Sequence, residues 1–361
     1  MVISRRLGWI GVDVGTHTVK LAQAVREGAE VRLHRAAVIQ RSSSWNGEDG
    51  LAMEQPITSA HEICAALECG GFTGRNAICS LPMNACQLRG LNVPPGTDQE
   101  RRAMAADELA EDWTEKKVAM EFDFWEMDPG QTEKNTDAFN VSILAVSRPW
   151  INQLWRDCRQ SGLHCWAVDG VPLAMARAVA LAGGLGGGRR ALAVDWGYSN
   201  TTLCIVGDDR LLYTRRLHGC GFGKVLDEVR RVFGVSLDEA QHLMDTQGVA
   251  TVESDPLADQ EIQKAVTDAM VETVNELVRQ LKRTTHFLES QRRHLHADSI
   301  WLMGGGASTR NIGPYFDQAL SLPVHICGAK TQQSPLGEVS PHRGALFSGA
   351  LALSALAWSA A

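Results

Sequence analysis

The chain has 361 residues, 44% of them apolar and 21% charged, with a formal charge of −7; that length and composition fit two globular lobes rather than one compact domain. The acidic balance and the lack of any long basic run exclude a polyanion binder, since nucleic-acid interfaces concentrate Lys and Arg. Nine cysteines are scattered without a C-x-x-C pair, so spacing gives neither a zinc site nor a redox couple; Cys79, Cys204 and Cys327 sit in apolar stretches as small core residues. No secretory signal precedes them, and a reducing cytoplasm is the expected compartment.

The first predicted element is a strand, Trp9-Ile-Gly-Val-Asp-Val, running into Gly15. Strands at 19–25 and 31–39 follow, divided by a turn near Glu27-Gly28, and 41–50 has the composition of a polar loop. Ile57, Ile63, Ala66 and Leu67 suggest a helix ending at Cys69-Gly70-Gly71. Residues 76–127 read as strand, strand, helix, strand, with Pro94-Pro95-Gly96 before a helix over 100–113. From Phe139 a buried strand over 141–146 leads to Ser147-Arg-Pro149, a helix start with proline in its first turn. Ile151, Leu154, Trp155 and Cys158 recur at helical spacing and Gly162 stops the run. A helix over 172–182 ends in the glycine run 183–188, read as a flexible crossover between lobes.

The second half repeats the plan. Ala191-Leu-Ala-Val-Asp195-Trp-Gly197 is again strand, Asp, one residue, Gly. A hairpin follows over 201–206 and 211–217, turning at Gly207-Asp-Asp209. Phe222, Val225, Leu226, Val229 and Phe233 share one helix face, and Ser236-Leu-Asp-Glu239 is a capping-box start for the next helix. Apolar residues from 262 to 281 alternate in steps of three and four, the strongest helix signal in the chain. Ile300-Trp-Leu-Met-Gly304-Gly-Gly306 is a strand entering a glycine loop. The apolar run 345–361 is shorter than the roughly 20 residues that span a bilayer and reads as a buried final helix.

These turns carry the chemistry. Asp13 precedes Gly15, Thr16, Thr18 and Lys20, while Asp195 precedes Gly197, Ser199, Thr201 and Thr202. Glycine lets a backbone pass close to phosphate oxygens, and exposed N–H groups and hydroxyls supply donors. A strand-end Asp can hold a hydrated Mg²⁺ that bridges phosphates. One D-x-G is an ordinary turn; two, half a chain apart and each followed by a hairpin, imply duplicated lobes clamping a polyphosphate. Gly219-Cys-Gly-Phe-Gly223-Lys224 is no P-loop, because Val225 stands where Ser or Thr would hold Mg²⁺. The first turn lacks the G-x-G-x-x-G of a dinucleotide site. His294 and His296 read as a solvated helix end, and the ten tryptophans form no stacking stripe.

In order, these turns and Gly304-Gly305-Gly306 resemble the phosphate-1, phosphate-2 and adenosine loops of the actin, Hsp70 and FtsA superfamily. Ile10-Gly-Val-Asp-Val-Gly-Thr-His-Thr-Val-Lys-Leu21, Leu144-Ala-Val-Ser-Arg148, Ala167-Val-Asp-Gly-Val-Pro-Leu-Ala174 and Leu322-Pro323-Val324 are similar to the PilM family of type IV pilus assembly proteins. The resemblance implies an α/β actin-like ATPase fold of two duplicated RNase H-like lobes around a nucleotide cleft. Lobe I would span 1–185 with an inserted subdomain at about 76–138 and the C-terminal helix 340–361 packing back on it. Lobe II would span 186–339 with a helical subdomain at about 221–298.

It further implies ATP and Mg²⁺ as ligands. Asp13 and Asp195 would lie near the metal, largely through water, and Lys20 on the phosphates. Gly197 and Thr201 would line the second phosphate turn, and Lys282 and Arg283 could face the adenosine. The inserted subdomain would take the short cytoplasmic N-terminal tail of PilN, tying the protein to the inner face of the inner membrane; self-association, as in some actin relatives, stays open. Val171 stands where the family often has a glutamate, leaving Asp169 as the nearest carboxylate to orient water, and Gln241 and Met244 replace an expected acid and base. The primary function expected is an ATP-binding adaptor, at most a weak ATPase. A nucleotide-free scaffold like the cytoplasmic domain of GspL and a small-molecule kinase of the same superfamily are the alternatives. An Hsp70-like chaperone is disfavoured because no peptide-binding domain follows.

Overall fold

The computed structural model describes residues 5–42, 45, 56–115, 119–126, 140–207, 210–250, 259–291, 295–328 and 341–358. Most of the expected loop at 41–50, Met127, Phe139, the turn residues Asp208 and Asp209, and His294 lie outside them. Strands β1 (Arg5–Val14), β2 (Thr18–Glu27) and β3 (Glu30–Gln40) form an antiparallel meander. Helix α1 (Ala60–Gly70) then crosses to β4 (Asn76–Ser80), which pairs parallel with β1. Gly71, at φ 61°, closes α1 in the left-handed region.

A small three-stranded sheet is inserted next. It is built from β5 (Cys86–Leu91), β6 (Met120–Glu126) and β7 (Val141–Ser147) in the order β5-β7-β6. Helix α2 (Asp98–Glu115) precedes β6, and its Ala105 and Leu109 pack with Val141, Ile143 and Ala145 of β7 in a separate core. Helix α3 (Arg148–Gln160) buries Trp150, Leu154 and Cys158, whereas Trp155, one residue past the apolar line, is 51% exposed. β8 (His164–Asp169) completes the first sheet in the order β3-β2-β1-β4-β8. Its apolar run of four residues, Cys165 to Val168, is short and carries no alternation, so this edge strand is not foreseen from the sequence.

Helix α4 (Val171–Leu181) leads into the glycine run, which differs from the expected loose crossover in its first half. A Cβ on Gly184 would lie 2.7 Å from the Trp301 ring, so that residue is packed; Gly186, Gly187 and Gly188 have positive φ and open space. β9 (Arg190–Trp196), β10 (Thr201–Gly207) and β11 (Arg210–Leu217) repeat the meander. Helices α5 (Phe222–Phe233), α6 (Leu237–Thr246) and α7 (Gln260–Gln291) follow. The capping box at Ser236 and Glu239 forms in both directions. β12 (Ser299–Met303), α8 (Ile312–Ala319) and β13 (Val324–Ile326) complete the second sheet, β11-β10-β9-β12-β13. Strand by strand, it has the pattern of the first. Helix α8 is too short for clear periodicity and is likewise not foreseen.

The expected final helix is two, α9 (Pro341–Leu346) and α10 (Ser348–Ala355), broken at Phe347. α10 lies directly on β1. A Cβ on Gly11 would sit 1.9 Å from the Ala350 carbonyl oxygen, and Ser354 Oγ accepts a hydrogen bond from Ala24 N at 2.8 Å. α4 and α10 share one buried core with Ala191, Ala193, Cys204 and Met303 of the second sheet, so the two sheets are joined by packing as well as by chain.

Gly11→Ala therefore forces backbone against backbone, and overpacking of this kind costs about 1–3 kcal/mol. A urea melt should show that loss. Wild-type stability in Gly11→Ala would mean α10 does not seat on β1 as described.

Candidate functional site

Each sheet delivers an aspartate at the end of its first strand, and both face the same small cavity. That cavity, about 20 Å³, is lined by Asp13, Lys20, Ser80, Asp195 and Gly304, with Val171, Ala174, Met175, Met303 and Leu346 as an apolar wall. The register explains the convergence. Asp13 stands opposite Lys20 across the β1–β2 pair and opposite Ser80 across β1–β4. Lys20 Nζ donates to Asp13 Oδ2 at 2.8 Å and Ser80 Oγ donates to Asp13 Oδ1 at 3.2 Å. In the second sheet Asp195 stands opposite Thr202 and Met303. The position matching Lys20 is thus a threonine.

Charge follows from this arrangement. Burial works against the Lys20 ammonium, but Asp13, with help from Asp195, outweighs it and holds its pKa above the ordinary lysine value. Burial pushes the Asp195 carboxyl up to about 6; Lys20 pulls it down and Asp13 adds to the rise. Gly304, at φ 86°, is required here, because a Cβ would fall 2.3 Å from Asp195 Oδ1. Gly306 meets the Trp196 ring in the same way, at 2.2 Å, and Gly305 carries its carbonyl to Ser308 N at 3.2 Å.

The two turns touch. Thr16 Oγ1 and Ser199 Oγ are 2.7 Å apart, and the rings of His17 and Tyr198 stack at 4.1 Å. Asn200 Nδ2 donates to Asn84 Oδ1 at 2.5 Å, a further link between the halves. The first turn is closed by Gly15 N donating to the Thr18 carbonyl at 2.9 Å. It is braced from behind by the buried Arg41, whose Nε donates to the Gly15 carbonyl at 2.8 Å. The second turn is held by Phe222 N and Gly223 N donating to the carbonyls of Gly197 and Tyr198. Gly221 and Gly223 permit that approach, which accounts for the glycines of the P-loop lookalike.

Two sequence expectations need correction. Thr201 is fully buried and its Oγ1 donates to the Cys220 carbonyl at 2.7 Å, so its hydroxyl ties the second hairpin to α5 and faces no ligand space. Asp169 accepts from Arg177 Nη1 at 2.9 Å and from Gly170 N at 2.9 Å, so its carboxylate is committed to orienting α4, not to water. Lys282 and Arg283 are exposed on α7, outside the lining of this water-sized cavity, and their expected adenosine role is not contradicted. Of the replaced family positions, Val171 forms part of the apolar wall, Met244 is core and Gln241 donates to Asp245 at 2.9 Å. Ser80, Arg41 and Asn84 were missed; no local pattern marks them, since each acts through a residue far away in sequence.

Two sheets of identical order, each ending in an Asp-x-Gly turn against a shared cavity, define the actin-like ATPase fold. The model of the type IV pilus assembly protein PilM matches residues 11–343, and the chain belongs to that family. It is similar over 97% of its length to 98% of a chain in the solved PilM–PilN type IV pilus biogenesis complex, with 20% identity and a TM-score of 0.73. A second likeness, at 12% identity and a TM-score of 0.52, covers 98% of this chain and 90% of the ethanolamine utilization protein EutJ from Carboxydothermus hydrogenoformans. At these identities the likeness speaks for the fold. No helix among the described residues is long and apolar enough to cross a membrane.

Asp195 gives a pH signature. Its folded value near 6 lies above the ordinary 3.8, so the native state keeps a proton that the unfolded chain has lost. The contribution is whole below about pH 4 and disappears as pH climbs through about 6, a loss of the order of 2–3 kcal/mol. Urea melts at the two pH values should show this decline in the wild type and not in Asp195→Asn. Equal declines in both would remove Asp195 as its source.

Proposed function

We propose that this PilM-family protein is an ATP-binding adaptor of type IV pilus assembly, whose nucleotide state sets the angle between its lobes and thereby its grip on a membrane partner. The observation that supports it best is the meeting of Asp13, Lys20 and Asp195 in one cavity between facing glycine turns. The backbone and hydroxyls of Gly15, Thr16, Thr18, Gly197 and Ser199 supply phosphate donors, and Lys20 supplies charge. Gly304, Gly305 and Gly306 border the nucleoside side, with Lys282 or Arg283 available from α7 to an adenosine.

Two carboxylates and a hydroxyl are hard oxygen donors of the kind Mg²⁺ accepts while keeping several waters. Asp13 and Asp195 would hold it, and it would neutralise the phosphate charge. A cavity of about 20 Å³ has room for roughly one water. Nucleotide entry therefore has to part the Thr16–Ser199 and His17–Tyr198 contacts, and that parting couples occupancy to lobe angle. With Asp169 engaged and Val171 in the wall, no other carboxylate among the described residues lining the cavity is placed to activate water, so the role is binding, with turnover slow at most. The same lack of a base disfavours the kinase.

The partner is a PilN-like inner-membrane protein whose N-terminal cytoplasmic tail docks on the inserted sheet β5-β7-β6 and helix α2. Its tail would place this protein at the cytoplasmic face of the membrane. Likeness to a chain of the solved PilM–PilN complex, over nearly the whole of both chains, supports that partner class.

Calorimetric titration with ATP and Mg²⁺ should give an affinity of the order of tens of micromolar or tighter, and Lys20→Ala should weaken it at least about tenfold, roughly 1.4 kcal/mol. No heat from the wild type at protein concentrations suited to that range removes nucleotide from the function and leaves the nucleotide-free scaffold. A synthetic PilN-like tail should bind with affinities differing by about fivefold or more with and without ATP. Identical affinities would remove the coupling between the two sites.

A further inference from the structure

Three thiols meet on the first sheet, away from the cavity. Cys79 lies in β4, Cys165 in β8 and Cys158 in α3. β4 and β8 run parallel, with Ala77 opposite Cys165 and Cys79 opposite Val168, and α3 brings Cys158 to them. All three Sγ atoms lie within 4.8 Å of one another, and those of Cys79 and Cys158 are 3.4 Å apart. Cys79 and Cys158 are fully buried, while Cys165 reaches partly to solvent. Among the described residues no other trio of His, Cys, Asp or Glu converges in this way.

We propose that Cys79, Cys158 and Cys165 form a binding site for one cuprous ion. A metal about 2.3 Å from each of three sulfurs in a trigonal plane sets the sulfurs about 4.0 Å apart. One pair is at 3.4 Å and none is farther apart than 4.8 Å, so binding needs only side-chain shifts of under about 1 Å. Thiolate softness restricts the choice to ions such as Cu(I) and Zn²⁺. Structural zinc is nearly always four-coordinate, and the group here offers three ligands. The nearby Asp157 carboxylate is already bonded to Thr58 Oγ1 at 2.8 Å, Ser59 N at 2.7 Å and Gln153 Nε2 at 2.7 Å. Three thiolates satisfy monovalent copper.

On binding, each of the three thiols that is still protonated gives its S–H proton to the buffer and three S–Cu bonds form; copper enters and stays as Cu(I), so no electron is transferred. Cys165 is the entry point. It is the one of the three that reaches solvent, and β8, which carries it, is the edge strand of the sheet. Metal here would clasp α3 to β4 and β8, one residue from the Ser80 that bonds Asp13.

The test uses the full chain, purified without metal and titrated anaerobically with Cu(I) against a chromogenic cuprous chelator. One copper per chain should be withheld from the chelator, with a near-ultraviolet thiolate-to-copper band and loss of the labelling of Cys165, the partly exposed member, by a thiol reagent. Cys158→Ser and Cys165→Ser should each weaken retention tenfold or more. Melting curves without copper report whether each variant folds; if the buried Cys158→Ser does not, the partly exposed Cys165→Ser decides. The proposal is overturned by no retained copper, by equal retention in folded Cys165→Ser, by preference for Zn²⁺ over Cu(I), or by a Cys79–Cys158 disulfide in the protein's non-reduced mass.

Discussion

Lys20 is the one ammonium among the described residues lining a cavity that also receives two carboxylates, and this imbalance governs the centre of the molecule. The two hairpins are built alike, yet the position that holds Lys20 in the first holds Thr202 in the second. Three groups with a formal sum of −1 are confined where little water can follow. Buried charge left uncompensated costs several kcal/mol, and the protein answers by letting Asp195 keep a proton until about pH 6. A divalent cation would answer in a second way, by replacing that proton. The charge balance of the site thus favours an ion, and the facing turns are placed where phosphate oxygens would complete its shell.

The remaining wall is apolar, and this separates gripping from turnover. Val171, Ala174, Met175, Met303 and Leu346 offer no hydrogen-bonding side chain. Hydrolysis needs a water oriented by a base within hydrogen-bond reach. Asp169 sits at the end of β8, level with Ser80 in the register, but Arg177 and Gly170 N already occupy its two oxygens. Moving it toward water would leave the partly buried Arg177 guanidinium without its carboxylate, with the Ala352 carbonyl at 3.3 Å as its remaining acceptor. A dry wall would strengthen the field at any bound phosphate and would deny it a nucleophile, in keeping with the proposed role of binding without rapid turnover.

How much of this was legible depended on where each residue's partner comes from. The duplicated Asp-x-Gly turns, the meanders, the capping box at Ser236 and the heptad-like spacing of α7 are local patterns, and all were visible in sequence. β8 was not, because its apolar run, Cys165 to Val168, is only four residues long, shows no alternation and includes an exposed Trp166. Thr201 and Asp169 were misassigned because hydroxyl and carboxylate chemistry is identical whether the partner is a ligand, the Cys220 carbonyl or Arg177. Likewise Cys79, Cys158 and Cys165 lack a metal-site spacing, and only a parallel strand pair and a crossing helix make them neighbours. Sequence showed the parts that contact their own surroundings; tertiary partners decided the rest.

Coupling between the site and the lobes then has a physical route. Gly184 is pinned against Trp301, so the glycine run is no free hinge at its near end. The two halves are joined instead by the core shared by α4, α10 and the second sheet. α10 touches every component: its Ala350 carbonyl abuts Gly11, its Ser354 hydroxyl receives Ala24 N, and its Gly349 lies beside Asp13, where a Cβ would come within 3.7 Å of Oδ2. Because small residues on both β1 and α10 permit backbone contact, a shift of Asp13 toward an ion has no soft side chain to absorb it. Close-packed elements of this kind move as bodies between discrete arrangements. A displacement of one strand end on nucleotide binding, as proposed above, would therefore pass to α10, from α10 to α4, and from there to the opposite sheet.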